Sequence, residues 1–246
     1  MKNQVGVVSG VVVLIIFAFA TSDALAKGRS HSSSGSYQGR KTSGTYQRSV
    51  EKKPGSTTKK TTWQNERGEG SREVQRNWDK DSKTGTYSST TQRADGKTVT
   101  RSGTVTKNED GSFTQQGTIT GPQGKTTTVD RTSTKNEDGS RSVQTTYTGQ
   151  EGKTLNVDKT ITHEDGTRNV TGNYSTSTGK SGTFTATSSK EDGQIVTDRS
   201  LTNQDNKTWN QHAVLDKDGN AITRDVTNTN PQGESRSFNE SLTVDK

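Results

Sequence analysis

From about residue 58 to the end of the chain, apolar side chains recur at every second position, in runs of about ten residues broken by short polar turns. Val99 and Val105, Phe113 and Ile119, Val143 and Tyr147, and Leu155, Val157 and Ile161 all fall on odd numbers. The even positions between them are mostly threonine, as at Thr98, Thr100, Thr104 and Thr106. A period of two places the sets on opposite faces of a strand. Threonine suits the wetter face, because its branched carbon fits a pleated surface while its hydroxyl stays in water.

The turns are marked as clearly as the strands. Asn108-Glu109-Asp110-Gly111, Gly121-Pro122-Gln123-Gly124, Asn136-Glu137-Asp138-Gly139, Gly149-Gln150-Glu151-Gly152 and His163-Glu164-Asp165-Gly166 follow one another at about fourteen-residue steps. Less regular turns continue through Gly179, Gly193, Asn206, Gly219 and Gly233. Asn or Asp opens a tight turn by bonding its own backbone, and Gly takes the left-handed position after it.

Strand parity links turns to strands, since a slip of one residue would move every apolar side chain to the wrong face. A three-residue loop at Gln204-Asp205-Asn206 would put Leu201 opposite Trp209, and one at Pro231-Gln232-Gly233 would put Val226 opposite Phe238. Two-residue turns at Asp165-Gly166, Asp192-Gly193 and Asp218-Gly219 would pair Ile161 with Val170, Phe184 with Leu201, and Leu215 with Ile222. Around Gly111 and Gly139 two registers fit equally.

The pattern predicts an all-β antiparallel meander of about 14 short strands over residues 58–246. An open twisted single sheet or a thin folded-over sheet is expected, because two modest apolar residues per strand could hardly fill so wide a barrel. A flattened β-solenoid is the alternative, two fourteen-residue steps forming one coil. A membrane barrel would need an apolar outer band with aromatic girdles, which three tryptophans do not supply.

With 21% hydrophobic residues and 5% aromatics, a thick two-sided core is not expected. Residues 1–26 read as a signal peptide of bacterial form. Lys2 begins it, an apolar run spans Val5 to Ala20, and Ala24-Leu25-Ala26 offers small residues to a peptidase. The competing reading is an uncleaved anchor. An exported chain, periplasmic or extracellular, follows, and the absence of cysteine rules out disulfides and thiolate chemistry.

The net charge of +7 concentrates in one stretch. Lys27, Arg29, Arg40, Lys41, Arg48, Lys52, Lys53, Lys59 and Lys60 face Glu51 alone, and residues 61–246 are close to neutral. Residues 27–57, rich in Gly, Ser and Thr, read as a disordered basic tail. Those nine cations are the candidate polyanion-binding residues, for lipopolysaccharide, acidic polysaccharide, DNA or another anionic envelope or extracellular polymer. The bland reading is a soluble tether.

No catalytic, cofactor or metal motif stands out, and none of these functions is expected. Asp79-Lys80-Asp81-Ser82-Lys83 begins like a calcium loop but lacks its later ligands, His31, His163 and His212 are scattered, and no serine sits in a nucleophile elbow. The threonine ladder through 104, 118, 132, 146 and 160 resembles the arrays of insect ice-binding solenoids, with Gln116, Asp130, Gln144 and Asp158 interrupting the face. The reading is a non-enzymatic structural, adhesive or matrix protein that binds anionic polymers through its tail. The alternatives are filament formation through exposed sheet edges, or binding of ice or carbohydrate on the threonine face.

Overall fold

A computed structural model of the chain describes residues 29–39 and 42–245. The proposed signal peptide, with Lys27, lies outside the described residues, as do Arg40 and Lys41. Sixteen strands follow in order: β1 (Arg29–Gln38), β2 (Ser43–Lys53), β3 (Ser56–Asn65), β4 (Gly68–Asp79), β5 (Thr84–Gln92), β6 (Thr98–Lys107), β7 (Phe113–Thr120), β8 (Thr126–Lys135), β9 (Arg141–Gly149), β10 (Thr154–Glu164), β11 (Thr167–Thr176), β12 (Ser181–Glu191), β13 (Gln194–Asn203), β14 (Thr208–Asp218), β15 (Ala221–Thr229) and β16 (Ser235–Val244). Each pairs antiparallel with the next, and β1 pairs with β16, so the sheet closes into a barrel. Among the described residues no helix is long and apolar enough to cross a membrane.

Two expectations are corrected here. The sheet is neither open nor a solenoid, and residues 29–53 are not a disordered tail. β3–β16 are the fourteen strands that the alternation marks, while β1 and β2 come from the segment read as tail. Its serines hide a sparse alternation in which Tyr46 lies opposite Gly35 and Trp63, and Tyr37 opposite Leu242. Closure explains why so weak a strand forms: β1 has a hydrogen-bonding neighbour on both sides, where an open sheet would leave it as a bare edge.

Most registers follow the turn chemistry. Leu201 stands opposite Trp209, Val226 opposite Phe238, Ile161 opposite Val170, and Phe184 opposite Leu201. At Asp165-Gly166 and Asp192-Gly193 both turn residues have positive φ, as a type I′ hairpin requires. The ambiguity near Gly111 resolves into a three-residue loop, with Asn108 N–H donating to the Ser112 carbonyl and Lys107 opposite Phe113. The β14–β15 turn departs from expectation. Gly219 and Asn220 form it, placing Lys217 opposite Ile222 and Leu215 opposite Arg224, because Gly219, at φ 55°, takes the first central position rather than the second.

Which face lies inside is decided by the glycines. A methyl group on Gly103 would meet the Gln116 backbone oxygen, and one on Gly182 that of Thr202. The neighbouring strand therefore folds toward the side on which these glycines sit, as at glycine corners of closed barrels. That side is the apolar face: Gly103 is opposite Tyr87, and Gly182 is opposite Tyr174. Tyr87 spans two such glycines, with Gln115 Nε2 donating to its hydroxyl at 2.9 Å.

The threonine face is thus the outer wall. A ring of sixteen strands is too wide for its lining to meet across the middle. The buried hydrophobic residues among those described, Val129, Val143, Val170, Ala213 and Val226, lie in the wall itself, and of these Val143 and Val226 are fully buried. An unfilled interior reconciles the poor apolar content with a closed fold.

Candidate anion-binding lining

Following the pairing register around the barrel sorts the charges by face. Every arginine of β2–β16 belongs to the inner face: Arg48 stands opposite Thr61, Arg131 opposite Gln115, Arg168 opposite Ser188, and Arg199 opposite Ala186. Lys52, Lys59, Lys107 and Lys159 share it. The strand carboxylates sit on the outer face with the threonines, as Asp130, Asp158, Asp198 and Asp225 do, and Glu240 is the exception. Lining and exterior therefore carry opposite charge, although the whole of residues 61–246 is nearly neutral.

The lining cations form two groups. In the first, Lys59 on β3 lies opposite Val74, with Arg72 and Arg76 two residues to either side of that valine, and opposite Val50, with Arg48 two residues away. Partial burial pulls the Lys59 ammonium below its usual range, and Arg48, Arg72 and Arg76 pull it further. Arg76 is lowered in the same way by burial and by Arg72.

The second group runs across β8–β15. Burial lowers Arg131, which Tyr147 partly offsets and Arg141 reinforces. Lys159 is lowered by burial and then by Arg131 and Arg168, and Arg199 by burial and then by Arg224 and Arg168. Three arginine heads of this sector are held in place. Arg199 Nη1 donates to Gln211 Oε1 at 3.0 Å, Arg141 Nη1 to Ser133 Oγ at 3.0 Å, and Arg224 Nη1 to Glu240 Oε2 at 2.9 Å. Guanidinium forks fixed on one side keep donors for oxyanions on the other.

The candidate cations read from the sequence are partly brought together. Arg48, Lys52 and Lys59 lie on the lining, and the backbone of Arg29 is opposite Lys52. Lys53 and Lys60 point outward, where they pair with Glu51 at 2.8 Å and Glu73 at 3.6 Å. Sequence reasoning missed Arg72, Arg76, Arg131, Lys159, Arg168, Arg199 and Arg224. The signal was present: Lys159 shares odd parity with Val157 and Ile161, and Arg168 shares even parity with Val170. Summing charge along the chain erased it, because each of these cations has a carboxylate within three residues of it along the chain.

Successive turns alternate between the two ends of the barrel, so Asp110 and Asp138 stand at the same end. Asp110 and Asp138 serve the turns: Ser112 N–H donates to Asp110 Oδ1 at 2.8 Å, and Ser140 N–H to Asp138 Oδ1 at 2.9 Å. These bonds to Ser112 and Ser140 hold both carboxyls below their ordinary range. Outside the barrel His212 Nδ1 lies 2.7 Å from Asp198 Oδ1, an isolated exposed pair. Among the described residues no three His, Asp or Glu side chains stand close enough together to hold a metal ion. The chain matches no family model and no curated protein.

Proposed function

We propose that the protein is an exported, non-enzymatic structural or adhesive barrel that holds an anionic envelope or extracellular polymer. The cations of its lining, not those of a free tail, make the contact. One observation carries this reading: the arginines of β2–β16 share the concave face with a single strand carboxylate, Glu240.

Gathering like charges on a partly buried surface costs stability, since each cation loses water and meets its own sign. Structural needs alone would alternate the signs, as the outer pairs Lys53–Glu51 and Lys60–Glu73 do. A bound polyanion supplies the missing counter-charge and releases its own condensed ions. The polar outer face, with Thr and Asp in place of an apolar band, suits water rather than lipid.

Removing residues 27–60 is a poor test, because it would take β1, β2 and part of β3 and open the barrel. Point variants keep the wall intact. The full chain is passed over immobilised lipopolysaccharide, acidic glycan and DNA beside a variant in which Arg48, Arg72, Arg131, Arg168 and Arg199 are all Gln. Retention of the parent on at least one polymer, elution by salt, and loss of retention in the variant are expected. Equal retention of both would overturn the reading.

A further inference from the structure

We propose that the cations Arg131, Lys159, Arg168, Arg199 and Arg224 on β8–β15 form one continuous site for a linear acidic polysaccharide, each sugar bringing its carboxylate or sulfate to one of these side chains. This rests on the preceding reading and narrows it to one sector of the lining and one class of polymer.

The geometry argues for an extended ligand. Neighbouring strands lie about 4.8 Å apart, so cations carried on β8, β10, β11, β13 and β15 succeed one another at one or two strand spacings. Each feels the next, from Arg131 to Lys159, Arg168 and Arg199, and on to Arg224. A small anion would neutralise one or two of them. A chain with a charge on every repeat neutralises the row.

The surroundings suit sugars. Between the cations stand amides and hydroxyls, with Gln211 Nε2 donating to Asn228 Oδ1 at 2.9 Å and the Ser188 and Thr197 hydroxyls joined at 3.1 Å. Beside Arg199 on the same face, Leu201 and Trp209 stand opposite each other and remain 39% and 41% exposed. An accessible indole face next to a fixed guanidinium is a platform for the apolar side of a pyranose ring. A nucleic acid would use an array of free aromatic faces for its successive bases. Here Tyr87, Tyr174 and Phe184 instead lie against glycines of the wall. The acidic exterior repels such a chain, which directs it into the lumen.

Polygalacturonate is titrated into the full chain while tryptophan emission is followed, beside three comparisons. The first is the triple variant Lys159→Gln, Arg168→Gln, Arg199→Gln. The second is Arg48→Gln, Arg72→Gln in the other cation group, and the third is single-stranded DNA of equal charge. The parent is expected to bind, with log affinity falling linearly in log salt. The triple variant should lose at least tenfold, since one charge-assisted contact alone is worth about that much. The Arg48/Arg72 variant, in the other part of the lining, should lose clearly less than the triple variant, and DNA should bind more weakly than the glycan.

Circular dichroism and the melting temperature show whether each variant keeps its fold, and relief of like-charge repulsion predicts that the triple variant melts no lower than the parent. An equal or larger loss in the Arg48/Arg72 variant would overturn the placement of the site while leaving the basic-lining reading intact. Tighter binding of DNA would overturn the polymer class. Failure of the glycan to bind would remove this site, and failure of glycan, DNA and lipopolysaccharide alike would remove the reading on which it rests.

Discussion

At Gly117 one added methyl group would collide with the side chain that braces the wall. The Cβ of an alanine there would fall on the Tyr87 hydroxyl and 2.7 Å from the Ser102 backbone oxygen. Tyr87 cannot step aside without losing the bond from Gln115, and the Ser102 oxygen belongs to the sheet ladder. Gly117→Ala should therefore destabilise the fold by about 1–3 kcal/mol, the usual cost of overpacking. Gly121→Ala is the control. It has ordinary space, with Lys125 O at 3.6 Å and no positive φ, and should be neutral or slightly stabilising. Urea unfolding of the two variants separates them; equal midpoints would mean that the glycines do not set the curvature. Asp110 and Asp138 supply a second test at this scale. Their folded pKa values lie below the unfolded one, so their contribution is present above the unfolded value near pH 4 and is lost as pH falls through the folded values. The melting temperature should drop below about pH 4. In Asp110→Asn, Asp138→Asn the drop should be shallower, and an unchanged acid limb would show that the turn carboxylates do not contribute.

Among the elements, the seam between β1 and β16 is the weakest join. β1 pairs with β2 over ten residues but with β16 over four, Gly35–Gln38 against Ser241–Val244. Beyond those four, the Asp245 N–H donates to the Ser34 carbonyl at 2.8 Å, and among the described residues the ladder between the two strands goes no further. Local opening starts where backbone bonds are fewest. Amide exchange should therefore be fastest in the two seam strands, β1 and β16, and slowest in β10–β13, where both sides are paired over eight to ten residues. Uniform protection would contradict this ranking. The seam also marks the limit of what the sequence alone conveys. Hairpins are local: Asp165-Gly166 and Asn203 carry their turn geometry within a few residues, so strand parity and most registers can be read directly. Closure joins residues about 200 positions apart through four pairs without any motif, and the serine-rich β1 resembles a linker until a partner lies on each side of it. The cationic lining was half legible. Arg48 and Lys59 stood out in a basic stretch, whereas Arg131 and Arg199 sit among threonines and aspartates and gain a common face only when the register is followed around the barrel.

For the whole molecule, the segregation of charge between lining and exterior sets how stability responds to salt and alkali. Inside, Lys159 sits with Arg131 and Arg168, and Lys59 with Arg48, Arg72 and Arg76, so repulsion there opposes folding. Outside, pairs such as Lys53–Glu51 are exposed and contribute little. Salt screens exposed charges within about 8 Å at physiological strength, and in this barrel screening relieves more repulsion than it removes attraction. The melting temperature should therefore rise from low salt to a few tenths molar sodium chloride, and rise further with a bound polyanion by mass action. The alkaline limb has the same origin. The folded pKa values of Lys59 and Lys159 are depressed, so the unfolded chain binds more protons between those values and the unfolded value near 10.4, and stability increases as pH rises through that window. Lys59→Met, Lys159→Met should raise the melting temperature at pH 7 and flatten both the salt and the alkaline responses. If the parent instead loses stability with added salt, and the double variant melts lower at pH 7, the lining is not held together against its own charge, and the case for an anionic occupant of the lumen fails with it.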